Sequence, residues 1–209
     1  MPARGDHEAR RAEVSEAVWR VLAAQGFGGL TMRAVAAELG ASTGLLTHYF
    51  RSKRELVRYA YEIAELRTSG RVRQPRAAPG LAALRAALAD VLPLAPEMVV
   101  MSRVWISFWD AALGDAELGA SQRARYERWR GRLRGHVEDA RELGEIPGSA
   151  DTGDLAATAG GFAHGLVVQA LFDPDRFPPE RQLALLDGFL ESIRPGRAGS
   201  PGSARAPGR

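Results

Sequence analysis

Apolar residues recur along this chain at intervals of three and four positions, without a run of strict alternation, so the pattern predicts helices and no strands. From about Ala9 to Ala24, Val14, Val18, Val21 and Leu22 form one stripe. Met32, Val35, Ala36 and Leu39 fall at i, i+3, i+4 and i+7 and form the next, on a helix that the Thr31 hydroxyl can cap. Gly40 can take positive φ at little cost and stops that helix. Ser42 is placed to cap another, Thr43 to Phe50, anchored by Leu46 and Phe50. After Lys53 a longer pattern runs through Leu56, Ala60, Ile63 and Ala64 to about Thr68. The expectation for residues 31–50 is therefore helix, tight turn, helix, preceded by a flexible lead-in over 1–8 that carries no period.

Ser69 to Gly80, rich in Gly, Pro and Arg, marks a domain boundary. Beyond it the pattern predicts helices over Leu81–Leu92, closed by Pro93, and over Pro96–Leu113, whose apolar residues run almost all the way round. A helix of that kind must be surrounded. Asp115 to about Leu143 is long and Arg-rich, with Leu118, Tyr126, Trp129, Leu133 and Val137 as inner positions. Asp151–Phe172 is again apolar, with Gly161 and Gly165 one turn apart, where a neighbouring backbone can come close. Glu180–Ile193 is the last helix, and 194–209 has the composition of a disordered tail. The fold class is all-α, in two parts, 9–68 and 81–193.

In the Thr43–Phe50 helix, Leu46 and Phe50 leave Thr43, Leu45, Thr47, His48 and Tyr49 on or beside the opposite face. Short hydroxyls, planar polar groups and apolar tips suit a major groove, which admits one helix and presents base edges and thymine methyls to it. Lys53 follows where a phosphate would lie, whereas an ordinary hairpin would merely solvate the same face. Charge changes the picture slightly. Net charge is +3, yet residues 1–60 hold nine Arg or Lys against six Asp or Glu, and 61–193 hold fifteen against nineteen. A basic N-terminal segment, with Arg4, Arg10 and Arg11 available as an arm, fits phosphate contact.

The run Gly26, Phe27, Thr31, Val35, Ala36, Gly40, Ser42, Gly44, Leu46, Tyr49, Phe50, Lys53 and Leu56 resembles the helix-turn-helix of the TetR family of transcriptional regulators. Its core, STGLLTHYF, is closest to the BetI-like, choline-sensing branch, and WISFWDAAL followed by an Arg-rich helix is similar to the sensor domain of that branch. The resemblance implies a helix-turn-helix DNA-binding domain at 9–68 and a ligand-binding and dimerisation domain at 81–193. It also implies a homodimer paired through its last two long helices, although those helices would equally serve as the core of one subunit. A near-palindromic double-stranded DNA operator would then have half-sites about 34–36 Å apart. Thr31, Ser42, His48, Tyr49 and Lys53 are assigned to phosphates, Arg33 to a base or a phosphate, and Thr43, Gly44, Leu45 and Thr47 to base edges. The resemblance implies a repressor released by a small-molecule effector. An activator, or a helical adaptor that binds only protein, are the competing readings, and the helix from Glu55 to about Thr68 is the natural lever between the two parts.

Trp105, Phe108 and Trp109 lie at i, i+3 and i+4, with Asp110 at the edge of their face. Tyr126 or Trp129, with Phe162 and His164, are candidates to close a site around them, for a cationic or amphipathic molecule. Helical spacing of aromatics is equally what a core looks like. Several function classes are excluded on residues. There is no cysteine, hence no disulfide or thiolate metal site, no HExxH and no phosphate-cradling glycine loop. The four histidines, at 7, 48, 136 and 164, have no metal-ligand spacing. The expectation is a non-enzyme without cofactor. The longest apolar runs fall short of a membrane span and the first thirty residues carry charges throughout, which points to the cytoplasm.

Overall fold

A computed structural model describes residues 4–70 and 77–195, without the side chains of 4–9. The described residues form nine helices: α1 (Arg4–Gln25), α2 (Met32–Glu38), α3 (Thr43–Thr47), α4 (Lys53–Ser69), α5 (Leu81–Ala89), α6 (Pro96–Leu113), α7 (Ala116–Glu142), α8 (Thr152–Phe172) and α9 (Pro179–Ser192). The Arg4 side chain, residues 71–76 of the boundary segment and the tail beyond 195 lie outside the described residues.

Local chemistry sets most of these limits. The Thr31, Ser42, Ser52, Asp115 and Asp151 side chains each accept a hydrogen bond from a backbone N–H in the first turn of the helix that follows. Gly40, at φ +61°, makes the turn between α2 and α3. Three limits differ from expectation, one being α5, which ends at Ala89 and not at Leu92 because the Val91 and Leu92 N–H groups bond carbonyls three residues back. Helix α1 begins at Arg4 and not near Ala9, because apolar periodicity reports only packed turns, and the polar residues ahead of them continue a helix without leaving a stripe. Helix α3 ends at Thr47 and not at Phe50: the His48 and Tyr49 N–H groups bond to Leu45 and Leu46 carbonyls three residues back, tightening the last turn so that Ser52 can start α4.

Buried side chains fall into two clusters. The first joins α1–α4 and includes most inner positions expected there, among them Val18, Leu22, Val35, Leu46, Leu56 and Ile63, while Met32 and Leu39 are half-buried against it. It does not stop at the boundary segment, since Met101, Val104, Trp105, Phe108 and Ala112 of α6 belong to it. The second packs α5, α7, α8 and α9 around Leu84, Leu88, Leu133, Val137, Ala163 and Leu186. Helix α6 thus presents one face to each group, which accounts for its apolar circumference.

Helix α8 corrects one expectation: it is long and apolar enough to cross a membrane by length and composition, alone among the described residues. Single-residue runs miss this because Asp154, His164 and Gln169 interrupt it. Its Ala156, Ala159, Ala163, Leu166 and Val167 are buried against the bundle, as in a core helix.

Phe108 is the most enclosed of the aromatic side chains: its ring lies 4.9 Å from Phe27, 4.8 Å from Tyr61 and 5.8 Å from Trp105. Phe108→Ala should lower unfolding free energy by about 3–5 kcal/mol, while Leu113→Ala, at a residue 90% exposed in the same helix, should change it by at most about 0.5 kcal/mol. Urea denaturation of both variants checks this; equal losses would mean that α6 is not held through Phe108.

Candidate nucleic-acid interface and aromatic cluster

The short helix α3 rests on Leu46, which is fully buried, with Phe50 just beyond it. Above them Thr43, Gly44, Thr47 and His48 are exposed, and Leu45 and Tyr49 are half-buried. The Thr31 oxygen accepts from Ala34 N–H at 3.0 Å and the Ser42 oxygen from Leu45 N–H at 3.3 Å, so each hydroxyl keeps its own hydrogen free to donate to a phosphate. Thr47 donates its hydroxyl to the Gly44 carbonyl at 2.7 Å, leaving an acceptor lone pair and a methyl on the outer side. Arg33 and Lys53 are exposed and have no ion pair among the described residues, whereas Arg54 is tied to Asp115 and Glu117 at the start of α7. Arg10 pairs with Glu13 and lies beside the Tyr49 phenol.

The expected aromatic site is divided. Trp105 and Phe108 look toward the N-terminal helices. The Trp105 indole N–H donates to Thr68 Oγ1 of α4 at 3.0 Å, and the Arg125 guanidinium sits 3.4 Å from its ring centroid. Arg125 also bonds Glu65 of α4 at 2.7 Å, so one arginine of α7 stacks on α6 and pairs with α4. Phe162 stacks on Phe189 of α9 at 4.6 Å, away from the others, and Asp110 is exposed. Four of the candidates do come together: the His164 ring is 5.2 Å from Trp109, 5.4 Å from Tyr126 and 4.7 Å from Trp129. Gly160 makes room for this, because a Cβ there would lie 2.9 Å from the Trp129 ring.

Burial, and after it the Arg125 charge, pushes the His164 imidazole down to about 4, which leaves it neutral near pH 7. Burial raises the Tyr126 phenol, and the nearby Gln122 amide partly offsets the shift. That amide is buried, yet neither Oε1 nor Nε2 reaches hydrogen-bonding geometry with a protein group. Trp109 Nε1 is also buried and unpartnered. Sequence reasoning passed over Gln122, Glu65 and Arg125. Gln122 had a legible signal, a polar residue in the stripe Leu118, Gln122, Trp129, Leu133; Arg125 had none among the many arginines of α7.

A capped helix-turn-helix with an uncompensated polar face, joined to a helical bundle by a shared aromatic core, defines a DNA-binding regulator with a sensor part. Comparison with known proteins specifies the family. Residues 14–60 match the model for bacterial regulatory proteins of the tetR family, and residues 79–195 match that of the BetI-type transcriptional repressor, C-terminal. The chain is similar to the HTH-type transcriptional regulator PksA of Bacillus subtilis, 28% identical over 196 residues that cover 92% of this chain and 94% of that one. It is also similar to the HTH-type transcriptional regulator BetI of Paraburkholderia phymatum, 27% identical over 201 residues that cover 92% and 97%. In fold it resembles a transcriptional regulator from Rhodococcus sp. Rha1, with TM-score 0.75, 24% identity and coverage of 87% and 94%. A second such structure is a transcriptional regulator from Saccharomonospora viridis in complex with choline, with TM-score 0.74, 22% identity and coverage of 88% and 96%. The chain belongs to the TetR family of bacterial transcriptional regulators, which bind DNA and respond to small ligands, and it is not an enzyme.

The His164 shift has a consequence for stability. The unfolded side chain takes its proton below about pH 6.5 and the folded one only below about 4, so stability is complete above the upper value and falls with pH between the two. The slope is at most about 1.4 kcal/mol per pH unit. Urea midpoints at about pH 7 and about pH 5, for the wild type and His164→Gln, should show this part of the decline only in the wild type. Identical declines would place the shift elsewhere.

Proposed function

We infer that the protein is a homodimeric repressor of the BetI-like branch, working in the cytoplasm and released from a near-palindromic operator by a small-molecule effector. The observation that carries this is the outer face of α3, with Thr43, Gly44, Leu45 and Thr47 toward base edges over a fully buried Leu46. Thr31, Ser42, His48, Tyr49 and Lys53 serve phosphates, and Arg33 a base or a phosphate. Repression, as against activation, is favoured by the match of residues 79–195 to a repressor model.

The dimer rests on the outer sides of α8 and α9. Gly161, Gly165 and Gly188 have no neighbour from the rest of the chain within 4 Å of a Cβ position, and Phe172 is 85% exposed and Leu185 also exposed. Small and apolar residues turned outward along two helices fit a second copy packed close by. The functional division follows the sequence boundary, residues 9–68 reading DNA and 81–193 sensing ligand, with α4 shared between them.

The effector site is the cluster of Trp109, Tyr126, Trp129 and His164, which three helices bring together. Trp105 and Phe108 act beside it as the connection to α4, Phe162 supports α8 against α9, and Asp110 lies at the outer edge. The aromatic faces suit an amphipathic molecule, and a cationic one in so far as the charge of Arg125 permits. A ligand there shifts the dimer between operator-matched and mismatched spacing only by its differential affinity for the two.

The test is fluorescence anisotropy of labelled DNA from upstream of the protein's own gene, at two salt concentrations. Binding should be tight and salt-sensitive. Lys53→Ala should weaken binding to all sequences and lower the salt slope by about one per contact, whereas Thr47→Ala should cost about 1–3 kcal/mol at one base position and change operator preference. Equal effects of the two changes would reject the division between phosphate and base contacts, and failure against a random DNA library would reject the reader itself.

A further inference from the structure

The inner stripe of α7 is apolar except at Gln122, which is 7% exposed. A buried primary amide with neither of its polar atoms hydrogen-bonded is costly to the fold, and an apolar side chain of similar volume would avoid that cost. Gln182 is more deeply buried and its Oε1 is likewise unpartnered, but its Nε2 donates to the Phe177 carbonyl at 2.8 Å and holds the turn before α9. Gln122 has only a loose contact of this kind, with the Tyr126 phenol, outside hydrogen-bonding geometry. It stands one helical turn before Tyr126, close enough to influence its phenol, and the Tyr126 ring in turn meets Trp109, whose own indole N–H is buried and unpartnered. One acceptor and two kinds of N–H donor are therefore unused beside the same aromatic rings.

The charges around these rings narrow what can use them. His164 is neutral near pH 7. Arg125 is stacked on Trp105 and pairs with Glu65, and Arg128 approaches the same carboxylate at 3.5 Å, so the acidic group on this side is already engaged by two cations. A quaternary ammonium ion would meet the field of Arg125, and the one carboxylate at the edge of the site, Asp110, is exposed and screened by water. An anion would meet ring faces of negative quadrupole and a guanidinium already paired.

We propose that Gln122 and Trp109 are the polar contacts of the effector site, and that the site takes an uncharged planar molecule with an amide edge, the class of aromatic lactams. The Gln122 NH₂ donates to the lactam carbonyl and its Oε1 accepts the lactam N–H, a complementary pair of bonds; the Trp109 N–H supplies a second donor to the carbonyl. Ring faces of Tyr126, Trp129 and His164 take the planar body. The proposal rests on the reading of this cluster as the effector site, and it replaces a cation with a neutral hydrogen-bonding ligand.

Isothermal titration of the full-length protein with three probes of one shape tests it: 2-quinolone, a neutral lactam; naphthalene, which has no polar edge; and N-methylquinolinium, a cation. The lactam should bind about tenfold or more tighter than naphthalene, with the cation weakest. Gln122→Leu should abolish the lactam's advantage, leave naphthalene unchanged and raise the thermal midpoint, since the orphan amide is gone. Trp109→Phe, which removes the N–H but keeps a ring, should reduce the advantage in part. A cation that binds tighter than the lactam overturns the ligand class; if Trp109→Phe weakens that cation, the cluster remains the site. A lactam advantage that survives both substitutions overturns the site as well. Absence of binding by all three probes, with operator anisotropy intact on the same samples, overturns the proposal and leaves the DNA reader standing.

Discussion

Most of the packing between the two ends of this molecule runs through one face of α6. Phe108 is closed in by Phe27 and Tyr61, and Trp105 is tied by its N–H to Thr68. The turn after α1 docks on the same helix, with Phe27 N–H donating to Ser107 Oγ at 3.0 Å. That turn needs Gly26, whose φ is +63° and where a Cβ would lie 2.7 Å from Ser107. The contact is apolar and tightly packed, so it has discrete arrangements and does not deform smoothly. A reader domain hung on a flexible linker would have none of this.

The adjoining side of α6 carries Trp109 into the cluster with His164, Tyr126 and Trp129. One helix therefore has a ring in each of two environments, four residues apart. Arg125 ties the arrangement together, since it stacks on Trp105, pairs with Glu65 and lowers the proton affinity of His164. A shift of α7 in response to anything held by the cluster has a physical route to α4 through that guanidinium, and α4 leads directly from the end of the reading segment. Contacts of this sort bias a two-state element.

The amino-acid order alone determined the helices, because periodicity and caps act over a few residues. The stripes of α1, α2 and α4, the caps at Thr31 and Ser42, and the turn at Gly40 were all legible for that reason. So was the outward face of α3, since Leu46 and Phe50 define its inner side by spacing. Membership of the TetR family was legible in the same residues and is what the family matches bear out. The end of α3 at Thr47 and the start of α1 at Arg4 were not, as neither leaves an apolar mark.

Only the tertiary structure decided which neighbour each ring would meet. Trp105, Phe108 and Trp109 share a helical face by spacing, yet a helix surrounded on all sides has no single inner face, and the three were divided between two groups of helices. Likewise a sequence with fifteen basic residues in its middle part cannot say that Arg125 alone finds both Trp105 and Glu65, sixty residues away. The reason is physical: helix formation is local and written in intervals of three and four, whereas the partner of a buried polar group is whatever the packing of distant helices brings within about 3 Å of it. Gln122 shows the limit of both, a stripe position plain in the sequence whose lack of a partner only the packed bundle reveals.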